Sequence, residues 1–256
     1  KPTKKDPATR RFWNDEPEEW EGYKEYNRSD VIAERNILIK LDPYRMSDEE
    51  WELWRLDQRI NLAGLPINQR MVRNAIRVYE EGLDRSFKRM RELTGLANPN
   101  SLQQLLPWLQ SQGYMFDDCK AAHIKTAATY FDEQPDHWTD DQWVEYRQNE
   151  DLKEVLDLRK ETARTSIKKY YALERATGAD GNLRGTLQMN GAARTGRWAG
   201  RIFQPQNLPR PEKRFEDYQP LLARQIEELD YDSLKLIHGN VFDVLASGIR
   251  PAAQAP

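Results

Sequence analysis

Val72, Ile76, Tyr79, Leu83, Phe87 and Met90 recur at steps of four, three, four, four and three. Steps of three and four place side chains on one face of an α-helix, so this stretch limits the possible folds more than any other. It predicts a helix of about 25 residues, roughly 37 Å long at 1.5 Å per residue. Asn68 is a suitable N-cap, because its side-chain oxygen can take an orphan N–H of the first turn. Gly82, inside the stripe, costs the helix about 1 kcal/mol relative to Ala. A second long helix is expected from about Glu150 to Ala176, with Leu152, Val155, Leu156, Ala163, Ile167 and Tyr170 on one face. The two would pack as an antiparallel pair with short helices at the tip between them.

Residues 1–16 are polar, with Pro2 and Pro7, and read as a loop. A helix is expected over Glu18–Leu41, stopped by Asp42-Pro43 because the residue before a proline avoids the α region. Three capping boxes follow: Ser47 with Glu50, Ser101 with Gln104 and Thr139 with Gln142. In each, the two side chains can satisfy each other's orphan N–H groups at a helix start. The first opens a helix ending near Ala63-Gly64, before an extended Leu65-Pro66-Ile67. The second opens a helix through Leu109, with a further short helix around Ala121–Tyr130. Thr177–Gly181 is a breaker. Leu183–Met189 could form a short strand, Asn190–Pro211 reads as a loop, and helical texture returns at Tyr218–Glu228 and Leu234–Ala246. The fold class is therefore mostly α, an α+β chain whose strands are short and late.

No stretch approaches the ~20 apolar residues of a membrane span, so no membrane role is expected. Eight Trp, eleven Tyr and seven Phe argue against disorder. The lone Cys119 forbids an internal disulfide and reads as a small apolar filler that suits a reducing, cytoplasmic compartment. His123, His137 and His238 are far apart and form no metal-binding pattern. The chain opens on Lys1-Pro2-Thr3-Lys4-Lys5 with no apolar segment behind it and no initiator Met, as if cut from a longer chain.

The net charge is −3, but it is unevenly spread. From Arg159 to Arg214, thirteen Lys and Arg stand against four acids, a local charge of +9 that leaves −12 on the remainder. A basic surface on an acidic body is the footprint of a phosphate-backbone binder. The densest part is Arg194-Thr195-Gly196-Arg197-Trp198-Ala199-Gly200-Arg201, followed by Gln206-Asn207-Leu208-Pro209-Arg210. Arg offers a planar fork to phosphate or a base edge, Gly lets backbone approach a ligand, and Gln and Asn carry donors and acceptors. Contact with DNA or RNA is one reading, and a solvated loop is the other.

This stretch resembles the family A (DNA polymerase I type) signature T-G-R-L-S-S-x-x-P-N-L-Q-N-I-P. Thr195, Gly196, Arg197, Gln206, Asn207 and Pro209 fall in register without a gap. Trp198 replaces Leu, Ala199-Gly200 replaces Ser-Ser, Phe203-Gln204-Pro205 replaces Pro-Asn-Leu, and Leu208 replaces Ile. The variant form is similar to the bacteriophage branch. Asp57–Asn68 resembles the family's M-E-x-x-G-I-x-V-D segment at the start of the thumb. Asn98–Leu105 resembles the thumb-tip element N-x-N-S-P-K-Q-L, Thr165–Tyr170 the end of the return helix, and Gly248–Pro256 the I-R-x-A-F-x-A-P segment of the palm. Tyr26 and Asp30 have the Y-x-x-x-D spacing of the third motif of a 3′–5′ exonuclease.

The resemblance implies three parts: an exonuclease remnant over 1–45, a thumb over 46–180 and the start of a palm over 181–256. It implies that Arg164, Lys168, Lys169, Arg194, Thr195, Arg197, Arg201, Gln206 and Asn207 contact primer–template DNA. In a complete exonuclease, Asp30 would hold a metal ion and Tyr26 would position the attacking water. Mg²⁺ and dNTP would serve only the complete polymerase, whose catalytic carboxylates would lie beyond Pro256, on a missing segment or a second polypeptide carrying the rest of the palm and the fingers. This chain alone would then bind DNA and catalyse nothing, and a phage-encoded chain would act in the host cytoplasm. The alternative is a stand-alone DNA-binding or interaction module.

Overall fold

The computed structural model describes residues 17–208 and 210–253. The expected loop over 1–16, together with Pro209 and Gln254–Pro256, lies outside them. The chain divides into two compact units, Lys1–Arg55 and Leu56–Pro256, so the break falls inside a helix. In the first unit, α1 spans Pro17–Leu41 and ends where expected, one residue before Asp42-Pro43. None of its residues is buried. α2 spans Asp48–Ala63, and its capping box forms: Ser47 N–H donates to Glu50 Oε2 (2.8 Å) and Glu50 N–H to Ser47 Oγ (3.2 Å).

The second unit is organised by α3, Gln69–Thr94. Asn68 caps it through Met71 N–H (3.0 Å), and Gly95, with φ 68°, terminates it in the left-handed region that glycine adopts without penalty. Val72, Ile76, Tyr79 and Met90 are buried as expected. Met71, Ala75 and Val78 add a second buried row, because α3 is flanked by two helices, α8 (Lys169–Ala176) and α9 (Gln219–Glu228), rather than lying on a single surface. Asn74 ties α9 down by donating to the carbonyls of Ile226 (2.7 Å) and Leu229 (2.8 Å) at its C-terminal end.

α3 passes through two cores. The first gathers Met71–Tyr79 with Tyr170, Leu173, Phe203, Phe215, Leu222, Ile226 and residues of α10 (Tyr231–His238) and α11 (Val241–Ser247). The second gathers Met90 with α4 (Leu102–Ser111), α5 (Ala121–Thr129), α6 (Asp140–Arg147) and α7 (Glu150–Thr162). Thr139 and Gln142 form their capping box. The one expected at Ser101 does not form: Gln104 Oε1 instead accepts Asn98 N–H (2.9 Å) and closes the preceding turn.

The second long helix is broken. α7 stops at Thr162, Arg164 is extended, a 3-10 turn covers Thr165–Lys168, and only then does α8 begin. Two tertiary demands outweigh helix continuity there: Arg164 turns to an ion pair with Asp243, and Tyr170 Oη donates to the Leu245 carbonyl (2.9 Å). The return still runs antiparallel to α3, since Arg89 meets Glu154, Glu80 meets Tyr171 and Gln69 meets Gly178. The helix expected over Leu234–Ala246 is likewise split, at Gly239 (φ 80°) and the N-cap Asn240.

Two antiparallel pairs complete the chain. β1 (Leu65–Pro66) pairs with β2 (Asn182–Leu183), and β3 (Leu187–Ala192) with β4 (Arg197–Gly200). The expected strand over 183–189 is thus interrupted, and part of the expected 190–211 loop is a hairpin. No helix among the described residues is long and apolar enough to cross a membrane.

Gly82 has a packing reason. A Cβ there would stand 2.9 Å from the Tyr231 ring and 3.1 Å from the Phe242 ring. Gly82→Ala should therefore destabilise by about 1–3 kcal/mol, despite the better helix propensity of Ala. Urea unfolding measures this, and a stabilised variant would contradict the packing.

Candidate nucleic-acid interface

The basic stretch folds into the β3–β4 hairpin and the turn that follows. Leu187 pairs with Gly200, Gln188 with Ala199 and Ala192 with Arg197, with a register shift between Gln188 and Ala192. The tip closes when the N–H groups of Thr195 and Gly196 both donate to Ala192 C=O (3.0 Å each). Gly196 has φ 62°, so a Cβ would be strained there. Among the described residues, the only non-glycine residues with positive φ are Asn190 (52°), Ile202 (58°) and Gln204 (50°), all in this segment. Such backbone costs about 1–3 kcal/mol per residue and persists only when its surroundings impose it.

The surroundings do impose it. Phe203 is fully buried in the first core and fixes the chain between Ile202 and Gln204. Arg201 N–H donates to Thr186 C=O (2.7 Å), and Lys169 Nζ donates to Phe203 C=O (3.2 Å). The 3-10 turn over Pro205–Asn207 follows. There the Gln206 amide lies so close to Gly200 that a Cβ on Gly200 would collide with it. Asn207 Nδ2 donates to Gln204 Oε1 (3.1 Å).

The structure therefore brings Arg194, Thr195, Arg197, Arg201, Gln206 and Asn207 onto one short segment, all exposed. Arg194 and Arg197 have no ion-pair partner among the described residues. Arg201 is held by the Gln188 side-chain carbonyl, through Nε (2.7 Å) and Nη2. Lys168 is exposed, whereas Lys169 is half-buried, and burial lowers its pKa. Its ammonium holds the turn after the hairpin, through Phe203 C=O.

Arg164 is differently placed. It pairs with Asp243, which also meets Arg214 Nη2 (3.3 Å), and Arg214 Nε meets Glu212 (3.0 Å). Burial, and then the Asp243 carboxylate, raises the pKa of Glu212, while burial raises that of Glu161 beside Asn240. Arg164 thus neutralises a partly buried acidic group and ties the helix break to α11.

Tyr26 and Asp30 stand four apart on α1, both exposed. No cluster of three or more His, Cys, Asp or Glu able to hold a metal occurs among the described residues. One carboxylate beside a phenol does not by itself make up a Mg²⁺ site, which draws on several oxygen ligands.

Sequence reasoning missed Asp57 and Asn61 on α2. Asn61 Nδ2 donates to Leu187 C=O (2.9 Å), and Asn61 Oδ1 accepts Leu187 N–H (3.1 Å). Asp57, only 5% exposed, accepts Met189 N–H (2.9 Å) and the Asn61 amide (3.2 Å). The signal was a polar pair four apart on one helix face.

Arg164→Ala is expected to cost about 1–3 kcal/mol in urea unfolding, because the partly buried Asp243 keeps only its longer contact with Arg214, with duplex affinity close to wild type. Wild-type stability with lost affinity would instead make Arg164 a DNA contact.

Compared with known proteins, the chain is 36% identical over 254 residues, 98% of its length, to a DNA polymerase of Bacillus phage SP02. The chain spans about a third of that relative, 36% of its length. No protein-family model matches the chain, and no solved structure matches it. Nearly all of the chain is thus similar to one segment of a phage DNA polymerase.

Proposed function

We propose that this chain grips primer–template duplex as part of a family A phage DNA polymerase. The observation that carries the reading is the strained, buttressed hairpin, which presents Arg194 and Arg197 without ion-pair partners beside Arg201, Gln206 and Asn207. A merely solvated loop has no need of two positive-φ residues, Ile202 and Gln204, on either side of a buried Phe203. The similarity to the Bacillus phage SP02 polymerase supports the same reading. Arg194 and Lys168 contact backbone phosphates, Arg197 reaches the minor groove near the primer end, and Gln206 and Asn207 contact the primer or template strand. Phosphate contacts set register and groove contacts read the duplex. Template-directed nucleotidyl transfer, with Mg²⁺ and dNTP, belongs to the complete polymerase in this reading.

Fluorescence anisotropy of a primer–template duplex across a salt series tests it. Two neutralised phosphates, at Arg194 and Lys168, give a slope of log affinity against log salt of roughly −2. Arg194→Ala combined with Arg197→Ala should weaken binding at least about tenfold and flatten that slope by about 1 for each phosphate contact removed. Salt-independent binding, or no duplex binding at low salt, would overturn the proposal.

A further inference from the structure

We infer that Asp57 and Asn61 are positioning residues for the DNA-binding hairpin; this rests on the proposed function. A two-stranded ribbon is at best marginally stable alone, and β3 has β4 on only one edge. Successive residues of a strand point their backbone groups to alternate edges, so Leu187 and Met189 share one edge. Asn61 meets both backbone groups of Leu187, one as donor and one as acceptor, as a neighbouring strand would. Asp57 takes Met189 N–H and, with its other oxygen, the amides of Asn61 and Gln58. The last turns of α2 thus stand in for a missing third strand.

The consequence reaches the hairpin tip. Leu187 is paired with Gly200 and Gln188 with Ala199, so fixing the outer edge of β3 fixes β4, Arg197 and the Arg194–Gly196 turn. The next residue, Arg201, is held by Gln188 on the same strand. Asp57 and Asn61 touch no DNA in this arrangement; they act through the arginines.

The test is a mutant cycle in duplex affinity, with the whole chain, read beside amide hydrogen exchange. Asp57→Ala and Asn61→Ala should each weaken binding about fivefold to tenfold in the otherwise native chain. In the Arg194→Ala/Arg197→Ala background the same changes should cost less than about twofold, because residues acting through one contact are not additive. Asp57→Asn, which keeps an acceptor for Met189 N–H, should retain binding. Asn61→Asp, which loses the donor to Leu187 C=O, should not.

The amides of Leu187 and Met189 should exchange at least about tenfold faster in the alanine variants, while those of α3 stay protected. Additive losses, unchanged exchange at Leu187 and Met189, or equal loosening of α3 would each overturn the positioning role. If the native chain fails to bind duplex, the proposed function falls, and amide exchange still decides the clamp.

Discussion

The burial of α3 is the constraint on which the second unit depends. Its first half supplies Met71, Val72, Ala75, Ile76, Val78 and Tyr79 to one core, and its last turns supply Met90 to the other. Each fully buried large apolar side chain is worth about 1.5–3 kcal/mol, so this one helix sets much of the stability of both cores. Gly82 marks where the helix must be narrow, since the Tyr231 and Phe242 rings close on it. The same packing positions α8 and α9 and hence Phe203, the residue that seats the basic hairpin.

The hairpin illustrates how a candidate binding surface can be supported on both edges without a third strand. β3 has β4 on one edge and side chains of α2 on the other, and Lys169 holds the turn that follows through Phe203 C=O. Strained backbone at Asn190, Ile202 and Gln204 is tolerated because these supports leave it no alternative. A preformed surface avoids the ordering cost that a flexible loop meets on binding, which suits sequence-independent gripping of a duplex. Arg164 and Lys169 show that basic residues in such a stretch divide into those that hold the fold and those that face outward.

Local signals in the sequence carried most of the helices. The stripe from Val72 to Met90, the Asn68 cap, the Ser47 and Thr139 boxes and the Asp42-Pro43 stop all act within one or two turns, and the structure keeps them. The break at Arg164 and the hairpin within 190–211 depend on partners 79–132 residues away, Asp243, Asp57 and Asn61, whereas the Ser101 box is lost to a local competitor, Asn98 N–H, six residues from Gln104. Most of the site was legible as composition, through its Arg, Gly, Gln and Asn. Its geometry was not, because the edge of β3 is satisfied by side chains and not by a strand with its own pattern.

Amide hydrogen exchange of the chain with and without primer–template duplex tests the central claim most directly. New protection is expected between Leu187 and Asn207, around the hairpin and the turn after it. Protection confined to other elements, or none at saturating duplex, would contradict it.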